Sequence, residues 1–130
     1  MIFNIRTEST VPIYEQIVSQ VIFNIASGAM APGTMIPSVR DLAQRIIVNP
    51  NTVARAFQEL ERRGVVAARR GLGMEVTENS IAISRSQRQD IIRGRIREAL
   101  REGVGSAMSP EELRHLVDEE FARANGKRKK

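Results

Sequence analysis

Two helix-start signals stand eleven residues apart in this 130-residue chain, and that spacing constrains the fold more than any other feature. The first is Ser38-Val39-Arg40-Asp41, in which Ser38 can cap a helix whose third residue, Asp41, complements the positive end of the helix dipole. The second is Asn49-Pro50-Asn51-Thr52, with Asn49 as cap and Pro50 at the first helical position, where the missing N–H has no partner to lose. A helix beginning after Ser38 must therefore be short, with Val39, Leu42, Ala43 and Ile46 on its inner face. The next carries Val53, Ala56, Phe57 and Leu60 at steps of three and four until Gly64 stops it. Two helices joined by so few residues, the second opening on polar groups, form a helix-turn-helix.

The flanks read as follows. Ile13, Ile17, Val21 and Ile25 step by four between Pro12 and Ser27, a first helix that Gly28 terminates. Residues 28–38 hold Gly28, Pro32, Gly33 and Pro37 and are expected to be a turn-rich connector, while residues 1–10 are expected to form a short strand or an arm packed on the body. After Gly64, the run Val65 to Ala68, a turn over Arg69 to Gly73 and a return strand Met74 to Val76 predict a β-hairpin, a wing. Residues 77–87 are expected to be a linker, although Ile81 and Ile83 need burial. Ile92, Ile96, Ala99, Leu100 and Gly103 mark one face of a fourth helix closed by Gly105. Ser109-Pro110-Glu111-Glu112 is a capping-box start for a fifth, whose apolar stripe is Leu113, Leu116, Val117 and Phe121. The expected fold is mainly α with a small β wing. Its parts are a winged helix-turn-helix over residues 1–76, a linker over 77–87, a two-helix hairpin over 88–126 and a basic tail over 127–130.

Composition narrows the chemistry. The absence of Cys removes disulfides and thiolate zinc sites, and the single His115 makes a metal centre improbable even though Glu111, His115 and Glu119 share a helix face, where a charge pair is expected instead. No catalytic constellation stands out, so an enzyme, a metal and a cofactor are not expected. No apolar run reaches the length of a membrane span, and the N-terminus does not resemble a signal peptide, so a cytoplasmic protein is expected. The net charge of +5 is ambiguous until it is divided. Residues 1–37 carry −1, residues 38–76 carry +3 and residues 77–130 carry +3, the last surplus depending on the four cations of residues 127–130. Only three of the 20 cations are Lys, and Arg supplies the planar fork that matches guanine edges and phosphates. Five aromatics, most at helix-core spacing, are too few for a platform that stacks single-stranded bases.

A helix-turn-helix presents the start of its second helix to the major groove, which needs small or polar side chains there. The chain offers Asn49, Asn51, Thr52 and Arg55, with Asn49 read chiefly as a cap. The wing adds Arg69 and Arg70 beside Gly71 and Gly73, a basic hairpin able to lie against a phosphate backbone or enter a minor groove.

The stretch Pro12 to Val76 resembles the winged helix-turn-helix of the GntR superfamily of bacterial transcription regulators. The resemblance rests on the G-x-x-x-P-G connector (Gly28, Pro32, Gly33), P-S-V-R-x-L-A (Pro37 to Ala43), V-N-P-N-T-V (Val48 to Val53), E-L-E-x-x-G (Glu59 to Gly64) and the R-x-G-x-G wing. Two helices after the wing resemble the small YtrA-like branch, which implies a dimerising C-terminal segment in a regulator, often a repressor encoded beside a transporter operon. By position, the resemblance implies that Arg40 reaches a guanine and that Ser38, Asn49, Asn51, Thr52, Gly71 and Gly73 face DNA. Two positions depart from the family pattern. Ala54 stands where many members have a long polar residue. Ile47 stands where the turn commonly has Gly, which leaves the backbone of that turn open because a β-branched residue is costly at positive φ.

Helices four and five present stripes that one two-helix hairpin cannot bury, so Ile92, Ile96, Leu100, Leu113, Leu116, Val117 and Phe121 are expected to pair with a second copy. The expected partners are a double-stranded DNA operator and a second copy of the chain, with no membrane. No segment is long enough to build a roomy effector pocket. The alternative is a protein-interaction module that uses a winged-helix domain with a dimerising tail.

Overall fold

The computed structural model describes residues 3–128, with side chains described through residue 126. Its elements are α1 (Ile13–Ala26), β1 (Met35–Ile36), α2 (Val39–Ile46), α3 (Pro50–Arg62), β2 (Val66–Arg69), β3 (Gly73–Val76), α4 (Ser80–Gly105) and α5 (Pro110–Arg128). Two compact units part between Ile91 and Ile92, inside α4.

The first unit is built around α1. Ile17, Val21, Ile22 and Ile25 are fully buried there, against Leu42 of α2, Val53, Ala56 and Leu60 of α3, and Val65, Val66 and Val76 of the wing. Burial of this kind stabilises by roughly 1.5–3 kcal/mol per large aliphatic side chain. Pro12 stands at the N-cap rather than inside the first turn, and Gly28 at φ +88° follows the last residues of the helix.

The N-terminal segment is an arm and not a strand. Phe3 and Ile5 pack on the core. Two glutamines one turn apart on α1 stand in for a strand: Gln20 accepts from the Asn4 N–H at 2.8 Å and donates to its carbonyl at 2.7 Å. Gln16 does the same for Arg6, at 2.8 Å each way. Met1 and Ile2 lie outside the described residues.

The sheet is antiparallel in the order β1-β3-β2, with Met35 opposite Glu75, Ile36 opposite Met74 and Val66 opposite Val76. The wing falls where the apolar run and the glycines predict it. The connector is not all turn, because Met35–Ile36 forms β1. Its two residues give no periodicity from which a strand could be read. Gly73 makes the join possible. It sits at φ +114°, and a Cβ there would lie 2.6 Å from the Ile36 carbonyl oxygen.

Residues 77–87, expected as a linker, are helical from Ser80 onward. The face that α4 turns inward explains the difference: Ser80 and Ser84 are fully buried one turn apart, followed by half-buried Gln87 and Ile91. Small polar residues occupy the positions where a periodicity search looks for apolar ones. Ile81 and Ile83 do find cover against the core. Among the described residues neither serine hydroxyl meets a hydrogen-bond partner.

Glu59, late in α3, gathers two cations. Its carboxylate pairs with Arg62 and accepts from Arg63 Nε at 2.6 Å, while Arg63 Nη1 also donates to Gln87 Oε1 on α4 at 3.0 Å. The hydrogen bond from Arg62, then that from Arg63, holds the Glu59 carboxyl down at about 2 against an ordinary 4.5.

In the second unit the predicted cap forms, Ser109 Oγ accepting from the Glu112 N–H at 3.1 Å, but the Glu112 carboxylate takes its hydrogen bond from the Ser109 hydroxyl at 3.3 Å rather than from the Ser109 N–H that a capping box uses. The connection from α4 turns through Ala107 at φ +68°, and Gly103 lies under Leu113 so closely that a Cβ would stand 2.5 Å from Leu113 Cδ2. Helix α5 continues to Arg128, so residues 127 and 128 of the expected tail are helical, and residues 129–130 lie outside the described residues.

Two expectations follow for stability. Replacing Gly73 with Ala lowers stability by on the order of 3 kcal/mol, because strain at positive φ adds to a clash with backbone. Gly71→Ala costs only about 1 kcal/mol, since its φ of +78° is strained but the surrounding space is open. Urea denaturation of both variants measures the gap. The Glu59 carboxyl is depressed in the folded state, so its stabilising contribution is complete above pH 4.5 and is lost as pH falls through about 2. Thermal melts of Glu59→Gln beside the parent should differ at pH 6 and converge toward pH 2.

Candidate nucleic-acid interface

The helix-turn-helix forms at the two predicted caps. Ser38 Oγ accepts from the Asp41 N–H at 3.2 Å, and Asn49 Oδ1 accepts from the Asn51 N–H at 2.8 Å with Pro50 directly after the cap. Between them Ile47 ends α2 at φ 55°, ψ 57°, and the Val48 N–H returns to the Ala43 carbonyl at 3.0 Å. The turn thus keeps the left-handed conformation that glycine would favour. The Ile47 side chain is 90% exposed and gains no burial in return for a strain of about 1–2 kcal/mol.

Because Val53, Ala56, Phe57 and Leu60 face the core, the opposite face of α3 is outward, and Asn51, Arg55 and Arg62 are exposed along it. Asn49 is exposed at its start, whereas Thr52 and Ala54 are half-buried at its sides. At the start of α2 Arg40 is exposed and Ser38 half-buried.

The wing tip comes to the same place. A groove of about 520 Å³ between α2 and the wing is lined by Ser38, Asp41 and Arg45 on one side and Gly71, Leu72 and Gly73 on the other, with Met35, Ile36 and Pro37 at its base. Residues 34 positions apart in sequence thereby share one surface.

The arginines divide by their partners. Arg69 Nη2 meets Glu75 Oε1 across the hairpin at 3.1 Å. Arg55 lies over the ring of Tyr14, its Cζ 4.6 Å from the centroid. Arg40, Arg45 and Arg70 have no carboxylate partner among the described residues. Arg45, Leu72 and Tyr14 were not singled out from sequence. Arg45 falls one turn after Asp41 on the face that starts at Ser38, a periodicity that could have found it. Tyr14 reads as an ordinary apolar position of α1.

On the second unit, Ile92, Ile96, Leu100, Leu116, Val117 and Phe121 are all exposed, with relative exposures from 39% to 64%. Leu113 is half-buried and turned onto Gly103 of its own chain. Val104 extends the α4 stripe by another turn, and a groove of about 520 Å³ runs along it between Ile96, Leu100 and Val104 and the row Arg93, Arg97 and Arg101. His115 Nε2 stands 3.5 Å from Glu119 Oε1, the charge-pair spacing expected on that face. Among the described residues no three metal-ligating side chains gather, and no helix is long and apolar enough to cross a membrane.

Residues 13–76 match the family described as "Bacterial regulatory proteins, gntR family". The chain is 35% identical over 125 residues to the HTH-type transcriptional repressor YtrA of Bacillus subtilis, covering 96% of each. Among solved structures it is similar to a transcriptional antiterminator from Listeria monocytogenes, with a TM-score of 0.69, 36% identity and coverage of 93% of this chain and 90% of that one. It is also similar to YtrA from Sulfolobus acidocaldarius, a GntR-family transcription factor, with a TM-score of 0.58, 33% identity and coverage of 77% and 98%. A helix-turn-helix with a glycine-hinged wing and two further helices, matched in sequence over nearly its whole length, places this chain in the gntR family of bacterial regulatory proteins, in its YtrA-type branch.

Proposed function

We propose that the protein is a homodimeric transcriptional repressor that binds a two-fold operator in double-stranded DNA and acts in the cytoplasm. The observation that carries the reading is the groove that the start of α2 shares with the wing tip, next to a helix α3 whose exposed start follows α2 after a three-residue turn, with Arg40, Arg45 and Arg70 left without a carboxylate partner among the described residues. Asn51 and Thr52 are the base-reading residues of α3, and Asn49 combines its cap with a contact at the groove edge. Arg40 contributes a bidentate guanine contact from α2. Arg70 and Arg69, with Gly71 and Gly73 beside them, clamp the backbone next to the read half-site, and Ser38 adds a hydroxyl contact. Repression, as in the named relative, follows from occupying a promoter, and a transporter operon is the target that the YtrA-type branch suggests.

The dimer rests on the second unit. Seven large apolar side chains exposed on two helices offer apolar surface that a second copy would cover, by an isologous interface. The two-fold axis then sets the half-site separation at about 10–10.5 base pairs or a multiple of it.

Selection of bound duplexes from a random pool tests the reading, and should return an inverted repeat. On the selected site Arg40→Ala should lower the ratio of specific to non-specific affinity by about 1–3 kcal/mol. Arg70→Ala should weaken every duplex alike and flatten the dependence on salt. An unchanged ratio for Arg40→Ala refutes the guanine contact. For the dimer, Phe121→Asp combined with Leu100→Asp should move the protein to a monomer by sedimentation equilibrium while the melting of the first unit is kept, since both side chains are already exposed in the single chain.

A further inference from the structure

The stacking of Arg55 on Tyr14 points to a contact that the base-reading residues do not supply. Arg55 lies one turn beyond Asn51 on the outward stripe of α3, and its guanidinium covers the Tyr14 ring at 4.6 Å. Glu59 is one further turn along, at the spacing where helical arginine and glutamate normally pair. Its carboxylate is occupied by Arg62 and Arg63 instead. Arg55 is therefore exposed and has no carboxylate partner among the described residues.

A guanidinium held by its face keeps all five N–H donors free in the plane of the fork. The ring removes conformational freedom without consuming a donor. That is the arrangement suited to a tetrahedral oxyanion at the margin of a recognition helix, where two parallel N–H bonds can reach one phosphate group.

We propose that Arg55 contacts a phosphodiester of the operator backbone beside the groove read by Asn51 and Thr52, and that Tyr14 is its positioning residue. The inference rests on the DNA-binding reading above. It assigns α1, otherwise the scaffold of the core, a part in the interface. Tyr14 does not touch the DNA in this arrangement; it limits where Arg55 can be.

Titrations of the full chain on the selected operator and on a scrambled duplex, across a range of salt concentrations, test it. Arg55→Ala should weaken both duplexes by the same factor and flatten the log–log salt slope by about 0.9. Tyr14→Leu, which keeps apolar bulk over the core, should weaken both by about two- to fivefold. Tyr14→Phe, which restores the ring face, should recover that loss. Added to Arg55→Ala, Tyr14→Leu should have no further effect, whereas additive losses would overturn the positioning role.

Arg70→Ala serves as the comparator. If it flattens the slope while Arg55→Ala leaves affinity and slope at parental values, the DNA reading stands and the Arg55 contact falls. A loss confined to the operator would make Arg55 a base reader and overturn the phosphate assignment. If the parent binds neither duplex, the DNA reading itself fails and takes this contact with it. Thermal melts of each variant separate a lost contact from a lost fold.

Discussion

The packing of α1 against the back of α3 is the constraint on which the rest of the first unit depends. Ile17, Val21, Ile22 and Ile25 leave no exposed surface on one side of α1, and Val53, Ala56, Phe57 and Leu60 turn to meet them and the rest of the core. A helix that buries four residues on one face has no freedom over which residues it presents on the other. Asn51, Arg55 and Arg62 are outward because their neighbours are inward. The outward face of α3 is thus set by burial, and the polar residues on it are at liberty to vary in chemistry without a cost to the core.

The second constraint is a backbone contact. Gly73 brings β3 to within van der Waals distance of the Ile36 carbonyl, and that approach seats the wing beside the start of α2. Without it the helix-turn-helix and the hairpin would be two separate basic features. With it, Ser38, Arg45 and the glycine-flanked tip share one groove. The glycine is therefore required by packing as well as by φ, which is the difference between it and Gly71, where the surrounding space is open.

What was legible in the sequence follows from which interactions are local. Caps are local, so Ser38, Asn49 and Ser109 could be placed from the residues beside them, and the structure shows each accepting a backbone N–H. The wing was legible because an apolar run and two glycines lie within ten residues. The two-residue strand β1 was not, since its pairing with β3 is made by residues nearly forty positions away. The seat of the arm was equally hidden, because Gln16 and Gln20 read as polar surface and serve as its hydrogen-bonding edge. The start of α4 was misread for a related reason: its inward stripe is carried by serines, so burial there is not accompanied by hydrophobicity. Ile47 shows the reverse case. A β-branched residue left the backbone of that turn open in the sequence, and the packing of α2 against α3 outweighs a local strain of about 1–2 kcal/mol.

Charge at the proposed interface is set by the same kind of competition. Glu59 takes Arg62 and Arg63, Glu75 takes Arg69, and Tyr14 takes the face of Arg55. These are unequal claims. The Glu59 carboxyl is held far below its usual range by the hydrogen bonds from Arg62 and then Arg63, so Arg63 is committed to the fold and to Gln87. The Arg69–Glu75 bridge is solvent-exposed on the arginine side, and exposed pairs of that kind are worth about 0–1 kcal/mol. A polyanion approaching the wing competes with Glu75 for Arg69 at little expense. The bridge therefore does not remove Arg69 from the proposed interface; it keeps the guanidinium near the hairpin tip, where a phosphate can replace the carboxylate as its partner.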